Sequence, residues 1–521
     1  MAAEHVVAVD LARVFKSSNG KGLIRTLAWG DYVEVLEITQ DHVKVKTVGF
    51  TELSDGSIQP GEQVGFIKPP QSSGIQPQDV VKPRAANDVL KVNFVDVQQG
   101  DATVIETPQG KVILVDGGDN QLFARYLANR YRDTTRDIPR EIECIVVSHG
   151  DADHFQGLTR IFRSEREKFD PDELWKRLFV SPNRVFHNGL VKRPSGVATA
   201  DSLGASVEID EERLITGLVD NLLDVADDQM NTPFRAWKAA LRTNNERRAA
   251  RGQQPIAFRR LARGDDDAFD FLRTENIEVE VLGPIPTTIN GVSGLRFLGE
   301  PVKGPRVGHP SRQPRKRFTG ESTSHTINGH SIVLRLKYGG FRFLLAGDLN
   351  EESEEELLRE HQSGVIDLTA EVFKVPHHGS DDFSVDFVKA VSPVVSVISS
   401  GDESARKEYI HPRATLIGAL GRHSRLDEPV IFVTEMVAFF NDEGFVIPEA
   451  HVDKNGQLVP VEKPRSRFYA FRRTAFGLVK IRTDGRRLLV NTDSGNMIMK
   501  ETYAYELDQA GAPTPARVRQ A

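Results

Sequence analysis

The run Ser148-His149-Gly-Asp151-Ala-Asp153-His154 constrains this chain more than any other stretch. The apolar segment Ile142–Val147 leads into it and a helix is expected to leave it, so imidazoles and carboxylates emerge together at one strand end. These groups ligate borderline and hard divalent cations, and four of them within six residues can be shared between two ions. A solvated polar turn would account for a lone His or Asp, but poorly for four ligands together. A local set of four is still incomplete, so further ligands must arrive from other strand ends. Three downstream places qualify. Asp348 follows the apolar strand Phe341–Leu345, where an uncompensated carboxylate is costly unless it caps a helix. The pair His377-His378 ends the strand Val372–Val375, and His411 precedes Pro412 after the strand Val394–Ile398.

The rest of the chain bounds the setting. With 521 residues, 39% apolar and 27% charged, it is long enough for two or three globular domains. A formal net charge of −7 argues against coating a polyanion with the whole surface, so nucleic acid would need a local basic patch. The single cysteine, Cys144, excludes a disulfide framework and a thiolate zinc cluster, and its apolar surroundings suit a buried strand thiol. No signal peptide and no membrane span are read from the sequence, which gives the expectation of a soluble, cytoplasmic protein.

Along the chain, residues 1–68 carry short alternating strands with turns at Gly30-Asp31 and Asp55-Gly56, the pattern of a small all-β barrel. A Pro/Ser/Gln/Gly-rich linker is expected over 69–88. Residues 89–445 then alternate core strands with helices, including a helix from Asn120 to Tyr131 and a hairpin around Gly339-Gly340. A helix follows the hairpin, capped by Asn350 and acidic in its first turn. Residues 190–275 read as an insertion with helical segments at Glu211–Asp220 and Phe234–Arg248. Residues 446–521 read as a β-rich extension ending in a disordered tail.

Together, Phe94-Val-Asp-Val-Gln-Gln-Gly-Asp101, Leu114-Val-Asp-Gly-Gly118, His149-x-Asp-x-Asp-His154, Gly157, Asn328-x-x-Ser331, Ala346-Gly-Asp348, His377-His-Gly-Ser380 and His411-Pro412 resemble the metallo-β-lactamase superfamily. They are most similar to the hydrolase domain of ComEC DNA-uptake proteins and its soluble relatives, over about residues 90–425. The N-terminal strands look like bacterial Src-homology-type barrels, which would offer a surface for a protein partner. The superfamily resemblance implies an α/β fold, an αββα sandwich with two divalent metal ions, zinc or manganese, at one edge, and a metal-bridging hydroxide as nucleophile. It implies that His149 and Asp151 hold the first ion, Asp153 and His154 the second, and Asp348 both. It also implies that one histidine of the His377-His378 pair completes the first site, with the sequence leaving the member open and His377 taken here, and that His411 completes the second. Asp96, Asp101 and Asp116 are implied to orient ligands through hydrogen bonds. His378 becomes a candidate proton donor, and Asn328 and Ser380 are candidate substrate contacts.

This chain departs from the family in three places. Many relatives have a histidine at Asp151, although ComEC-type domains share the Asp. Gln98 replaces a usual Gly, and Tyr409-Ile410 precedes His411 where Tyr-Gly is usual. The favoured reading is phosphodiester hydrolysis of nucleic acid, most plausibly DNA, depending on Asp153, Asp348 and His378. A small phosphodiester or wall-polymer substrate is the second reading, and a non-catalytic regulatory module the third. Lys303 to Arg317, with Arg315, Lys316 and Arg317, is the basic segment that could grip a polyanion, or simply a solvated charge run.

Overall fold

A computed structural model describes residues 4–52, 58–132, 134–168, 170, 176–301, 318–401, 411–434, 450–452, 458–460, 477–493 and 501–521. Two sheets dominate it. The larger has ten strands in the spatial order 257–260, 184–187, 144–147, 112–116, 102–106, 90–95, 478–483, 487–493, 502–507 and 513–516. The second has six, in the order 277–283, 333–338, 341–345, 372–374, 395–398 and 430–433. The organisation is mixed α/β, as the superfamily resemblance implies.

Strand alternation shows how the layers form. In Val112–Asp116, Ile113 and Val115 join an apolar cluster with Leu336, Phe343 and Val397 of the six-stranded sheet. Val112 and Leu114, on the opposite face, join Phe123, Phe155 and Leu158 of the helices Leu122–Arg130 and Ala152–Ser164. A third cluster puts Leu344 and Phe373 against the helices Glu351–Gln362, Val385–Val391 and Ala414–His423. Central strands covered on both faces are apolar at most positions, which is why they read as apolar runs. Cys144 lies wholly buried in the cluster between the sheets.

Direction then places the site. Strands 112–116, 144–147, 184–187 and 257–260 run parallel, as do 341–345, 372–374, 395–398 and 430–433. Parallel strands deliver their following loops to one edge, where ligands of open α/β sheets gather. The segments holding His149, Asp348 and His377-His378 all leave such strand ends.

Several expectations are corrected. Glu212–Ile215, read as helical, is a strand of a small four-stranded sheet with 206–209, 292–296 and 287–289. Thr232–Ala250 is a helix, as expected, but it is not peripheral: Phe234, Trp237 and Leu241 pack into the cluster that holds Phe155 and Phe162. Ala257–Arg260 extends the main sheet beside Arg184–His187, so this part of 190–275 completes the core. Within 69–88, Val81–Pro83 pairs with His5–Val7. The C-terminal end is ordered into the fold. Leu478–Thr483 pairs with Leu90–Val95 in the main sheet, and Pro513–Ala516 forms its last strand. Beyond it, the Arg13 amide donates to Ala521 O at 2.8 Å, and Ala521 is buried with Val7, Val14, Leu27 and Val45. The tail's low apolar content suggested disorder. Antiparallel pairing and docking on the N-terminal strands supply the backbone partners that composition does not reveal.

The N-terminal strands form a seven-stranded antiparallel sheet in the order 23–28, 11–15, 58–67, 43–52, 32–38, 5–7 and 81–83, with an apolar core of its own. No helix of the described residues is long and apolar enough to cross a membrane.

Candidate metal centre

The site is built where the strand Cys144–Val147 gives way to the helix Ala152–Ser164. Asp151 occupies the N-cap position and Asp153 the first turn, where the helix dipole favours negative charge. Gly157 lets this helix lie against the preceding strand-end loop, because a Cβ there would fall 1.9 Å from Gly117 O. From the opposing sheet, Leu345 leads through Ala346-Gly347 to Asp348, and Lys374 leads to His377 and His378. His377, His378 and Asp116 all have positive φ, at 49°, 52° and 60°. Sparsely populated backbone of this kind clusters at functional sites.

Asp348 sits at the centre. Its Oδ2 lies 3.1 Å from His154 Nε2, 3.1 Å from His378 Nε2 and 4.0 Å from His149 Nε2. His378 Nε2 is also 3.6 Å from Asp153 Oδ2. Among the described residues, two overlapping groups thus offer ligand atoms all within 4.8 Å of one another: His149, His154 and Asp348, and Asp153, His154 and His378. Asp101 forms further such groups, with Asp116 and His154 and with Asp348 and His378.

The outer hydrogen bonds fix these side chains. Asp116 accepts from the Ser148 amide at 2.7 Å and the Ser148 hydroxyl at 2.6 Å, and lies 2.9 Å from His154 Nδ1. The Ser331 hydroxyl accepts from the Asp348 amide at 3.0 Å and stands 3.3 Å from His149 Nδ1. His378 Nδ1 donates to Ser399 O at 3.0 Å and lies 3.5 Å from Asp101. Asp101 itself is paired with the buried Lys374, whose ammonium also donates to Gly347 O at 3.0 Å. Each imidazole is held through Nδ1, which leaves Nε2 directed at the carboxylates. This is the arrangement that ligating histidines use.

Electrostatics favours a cation here. Burial works against a charged His154, but Asp348 and Asp116 outweigh it and hold the imidazole well above its usual range. His378 is raised in the same way, chiefly by Asp348 against burial. Burial, helped by neighbouring His154, pushes His149 well below its usual range, so it is a neutral donor of a lone pair. Burial opposes ionisation of Asp348 and Asp153, yet His154 and His378 hold both carboxyls low. The carboxylates therefore draw positive charge onto their neighbours, and a divalent cation answers the same demand while freeing the Nε2 lone pairs. His149 Nε2 is buried and makes no hydrogen bond, as expected of an atom reserved for a ligand bond. The residues present fit a divalent ion of borderline or hard character.

The structure thus brings His149, Asp153, His154, Asp348 and His378 together, with Asp101 and Asp116 behind them. It gives the two histidines of the pair different surroundings. His378 faces the carboxylates, whereas His377 lies 6.2 Å from His411 between ring centroids and presents Nε2 to the Asn328 side-chain amide at 3.4 Å. Among the described residues, neither His377 nor His411 belongs to a group with ligand atoms within 4.8 Å. Asp151 is also outside these groups and pairs with Lys192. With the Asn328 amide in its satisfied orientation, its nitrogen donates to Asp151 Oδ2 at 3.2 Å. Asp96 accepts from the Gln98 amide at 2.9 Å. Gln98 has φ +64°, the conformation that suits the glycine usual there. The Ser380 hydroxyl accepts from the Asp382 amide at 3.2 Å, within its own turn. Lys303, Arg306, Arg312, Arg315, Lys316 and Arg317 lie outside the described residues. The sequence reading assigned no role to Ser148, Lys192, Ser331 or Lys374. A lysine inside the apolar strand Val372–Val375 was a usable signal for Lys374; Lys192, far from any motif, offered none.

Comparison with known proteins agrees with this site. The metallo-beta-lactamase superfamily profile matches residues 95–167. The chain is 34% identical over 98 residues to ComE operon protein 3 of Bacillus subtilis (strain 168), covering 19% of this chain and 12% of that protein. It is 37% identical over 97 residues to competence protein ComA of Neisseria gonorrhoeae, covering 18% of this chain and 13% of that one. The matched region is thus about an eighth of either relative. Residues 95–167, where the metal-ligand cluster begins, thus match the metallo-beta-lactamase superfamily profile, and a short part of this chain is similar to the two competence proteins.

Proposed function

We propose that the chain is a divalent-metal-dependent phosphodiesterase acting on nucleic acid, with DNA as the favoured substrate. The observation that carries this reading is the position of Asp348 Oδ2, 3.1 Å from the Nε2 atoms of both His154 and His378. On this reading Asp348 would serve two cation positions at once. His149 and His154 would hold one ion with it, and Asp153 and His378 the other. His378 takes the ligand role expected of His377. The paired sheets with outer helices are read as the αββα sandwich, and the N-terminal sheet as a Src-homology-type barrel for a protein partner.

Bound there, such ions would lower the pKa of a bound water towards neutrality and polarise a phosphoryl oxygen. The chain's own residues do the rest. Asp116 and Ser331 fix the imidazoles of His154 and His149, and Asp101 and Ser399 fix His378. Asp153 and Asp348 keep the pocket anionic. His377 lies beside Asn328 and His411, off the carboxylate cluster, and burial pushes its imidazole below the usual range. Oxygen-rich ligation suits manganese as well as zinc. A cytoplasmic location fits these assignments.

The net charge of −7 favours the second reading, a small phosphodiester or wall-polymer substrate, over an extended polyanion. Metal-stripped protein should be loaded with Mn²⁺ or Zn²⁺ and given single- and double-stranded DNA, RNA and bis(p-nitrophenyl) phosphate. Hydrolysis of DNA together with the generic ester supports the first reading. Hydrolysis of the ester alone supports the second. Cation binding without any turnover leaves a regulatory module.

A further inference from the structure

Two lysines are bonded to carboxylates around the site, and they differ in what they can reach. Lys374 is sealed in, its side chain 4% exposed between Asp101 and Gly347 O. Lys192 pairs with Asp151 from outside, and its side chain is 27% exposed. Its backbone is fixed. Leu190 and Val191 before it are buried, Lys192 O accepts from the Asn231 amide at 2.9 Å, and the Arg193 amide donates to Ser202 O at 2.9 Å.

Both oxygens of Asp151 are engaged by donors of the chain: Oδ1 by the Lys192 ammonium and Oδ2 by the Asn328 amide. Among the described residues, Asp151 is absent from the groups of converging ligand atoms, although His149, Asp153 and His154 on either side of it take part. An ammonium has three donors, and Asp151 occupies one of them. The others can meet an anion entering from solvent while Asp151 keeps the side chain aimed.

We infer that Lys192 is a substrate-binding residue that contacts a phosphate oxygen, and that Asp151 is its positioning residue rather than a metal ligand. The inference rests on the phosphodiesterase reading for its substrate class. It assigns recognition of negative charge at the site to Lys192, a described residue outside the basic segment 303–317.

Three readings test it on the full chain loaded with Mn²⁺: the number of cations bound, the affinity for inorganic phosphate, and the kinetics with bis(p-nitrophenyl) phosphate. Lys192→Met should leave the number of cations unchanged and weaken phosphate about 10- to 100-fold, the usual cost of a lost hydrogen bond to a charged group. KM should rise similarly with kcat little changed, and Lys192→Arg should recover much of the loss. Asp151→Asn should keep every cation and show a milder form of the Lys192→Met phenotype. Loss of one cation in Asp151→Asn, or gain of one in Lys192→Met, overturns the inference. So does unchanged phosphate affinity in Lys192→Met. Cation counts and phosphate affinity do not depend on turnover, so a protein that hydrolyses nothing refutes the phosphodiesterase reading while these two measurements still decide the roles of Lys192 and Asp151.

Discussion

Two buried clusters of charge lie on this fold, and they are balanced in opposite ways. Where the N-terminal strands meet the main sheet, the single carboxylate of Glu106 receives the Tyr32 hydroxyl, Lys91 Nζ at 2.9 Å, Arg130 Nη2 at 2.7 Å and the Tyr131 hydroxyl at 3.3 Å. At the strand-end edge, Asp101, Asp116, Asp153 and Asp348 crowd together, and among the described residues the fixed cation bonded to these four is the Lys374 ammonium. In the first cluster cations outnumber the carboxylate and its oxygens are saturated by the chain. In the second, carboxylates outnumber fixed cations and a buried imidazole nitrogen has no hydrogen bond. A buried charge that serves stability is satisfied internally. One that serves chemistry keeps a demand for something the chain does not contain.

The largest effect should follow from removing the central anion of the open cluster. Asp348→Asn is expected to lose cation binding and hydrolysis with the fold intact. Its loss should exceed the roughly 10- to 100-fold that outer partners cost. Circular dichroism, cation binding and turnover, measured on one preparation, check this. The mirror experiment is Glu106→Gln. It leaves Lys91 and Arg130 without their buried counter-charge and should destabilise the protein by about 3–5 kcal/mol, measured by denaturant unfolding, while the folded fraction keeps its activity. Equal loss of activity in both variants would erase the distinction between the clusters.

A smaller effect belongs to the supports of the open cluster. Ser148→Ala removes the hydroxyl that Asp116 accepts and should weaken cation affinity or activity about 10- to 100-fold. The smallest concerns acid. Burial alone would raise the Glu106 carboxyl, but Lys91 and Arg130 hold it well below its usual range. A depressed pKa gives stability that is fully present above the unfolded value of about 4.3 and is lost as pH falls through the folded one. Stability curves should therefore fall below about pH 4.3, and Glu106→Gln should flatten that fall. A variant that keeps the wild-type slope would place the acid sensitivity elsewhere.

The contrast also explains what the sequence made legible. His149, Asp153 and His154 sit in one short run, and Asp348 and the histidine pair each end an apolar strand, so strand reading located them. What no pattern revealed was orientation. The backbone at His377 and His378 lies in the left-handed region, and this sends His378, not His377, to the carboxylates. Asp151 is a ligand only by what the resemblance implies, and its partner Lys192 comes from a distant segment. The C-terminal end was misjudged for a related reason: Pro513–Ala516 is held by pairing with Thr502–Leu507, and Ala521 by bonds to the N-terminal strand Leu11–Phe15. The Glu106 cluster was invisible because Tyr32, Lys91 and Arg130 share no local pattern.

The central claim is that the open cluster is a divalent-cation site whose occupancy drives hydrolysis. It is tested most directly by equilibrium dialysis of metal-stripped wild-type and Asp348→Asn proteins against Mn²⁺ and Zn²⁺, with bound metal and bis(p-nitrophenyl) phosphate hydrolysis measured on the same samples. Wild-type protein should take up cation and gain activity in proportion to it, and Asp348→Asn should do neither. Equal metal uptake by the two proteins, or full hydrolysis by the stripped wild type, would contradict the account.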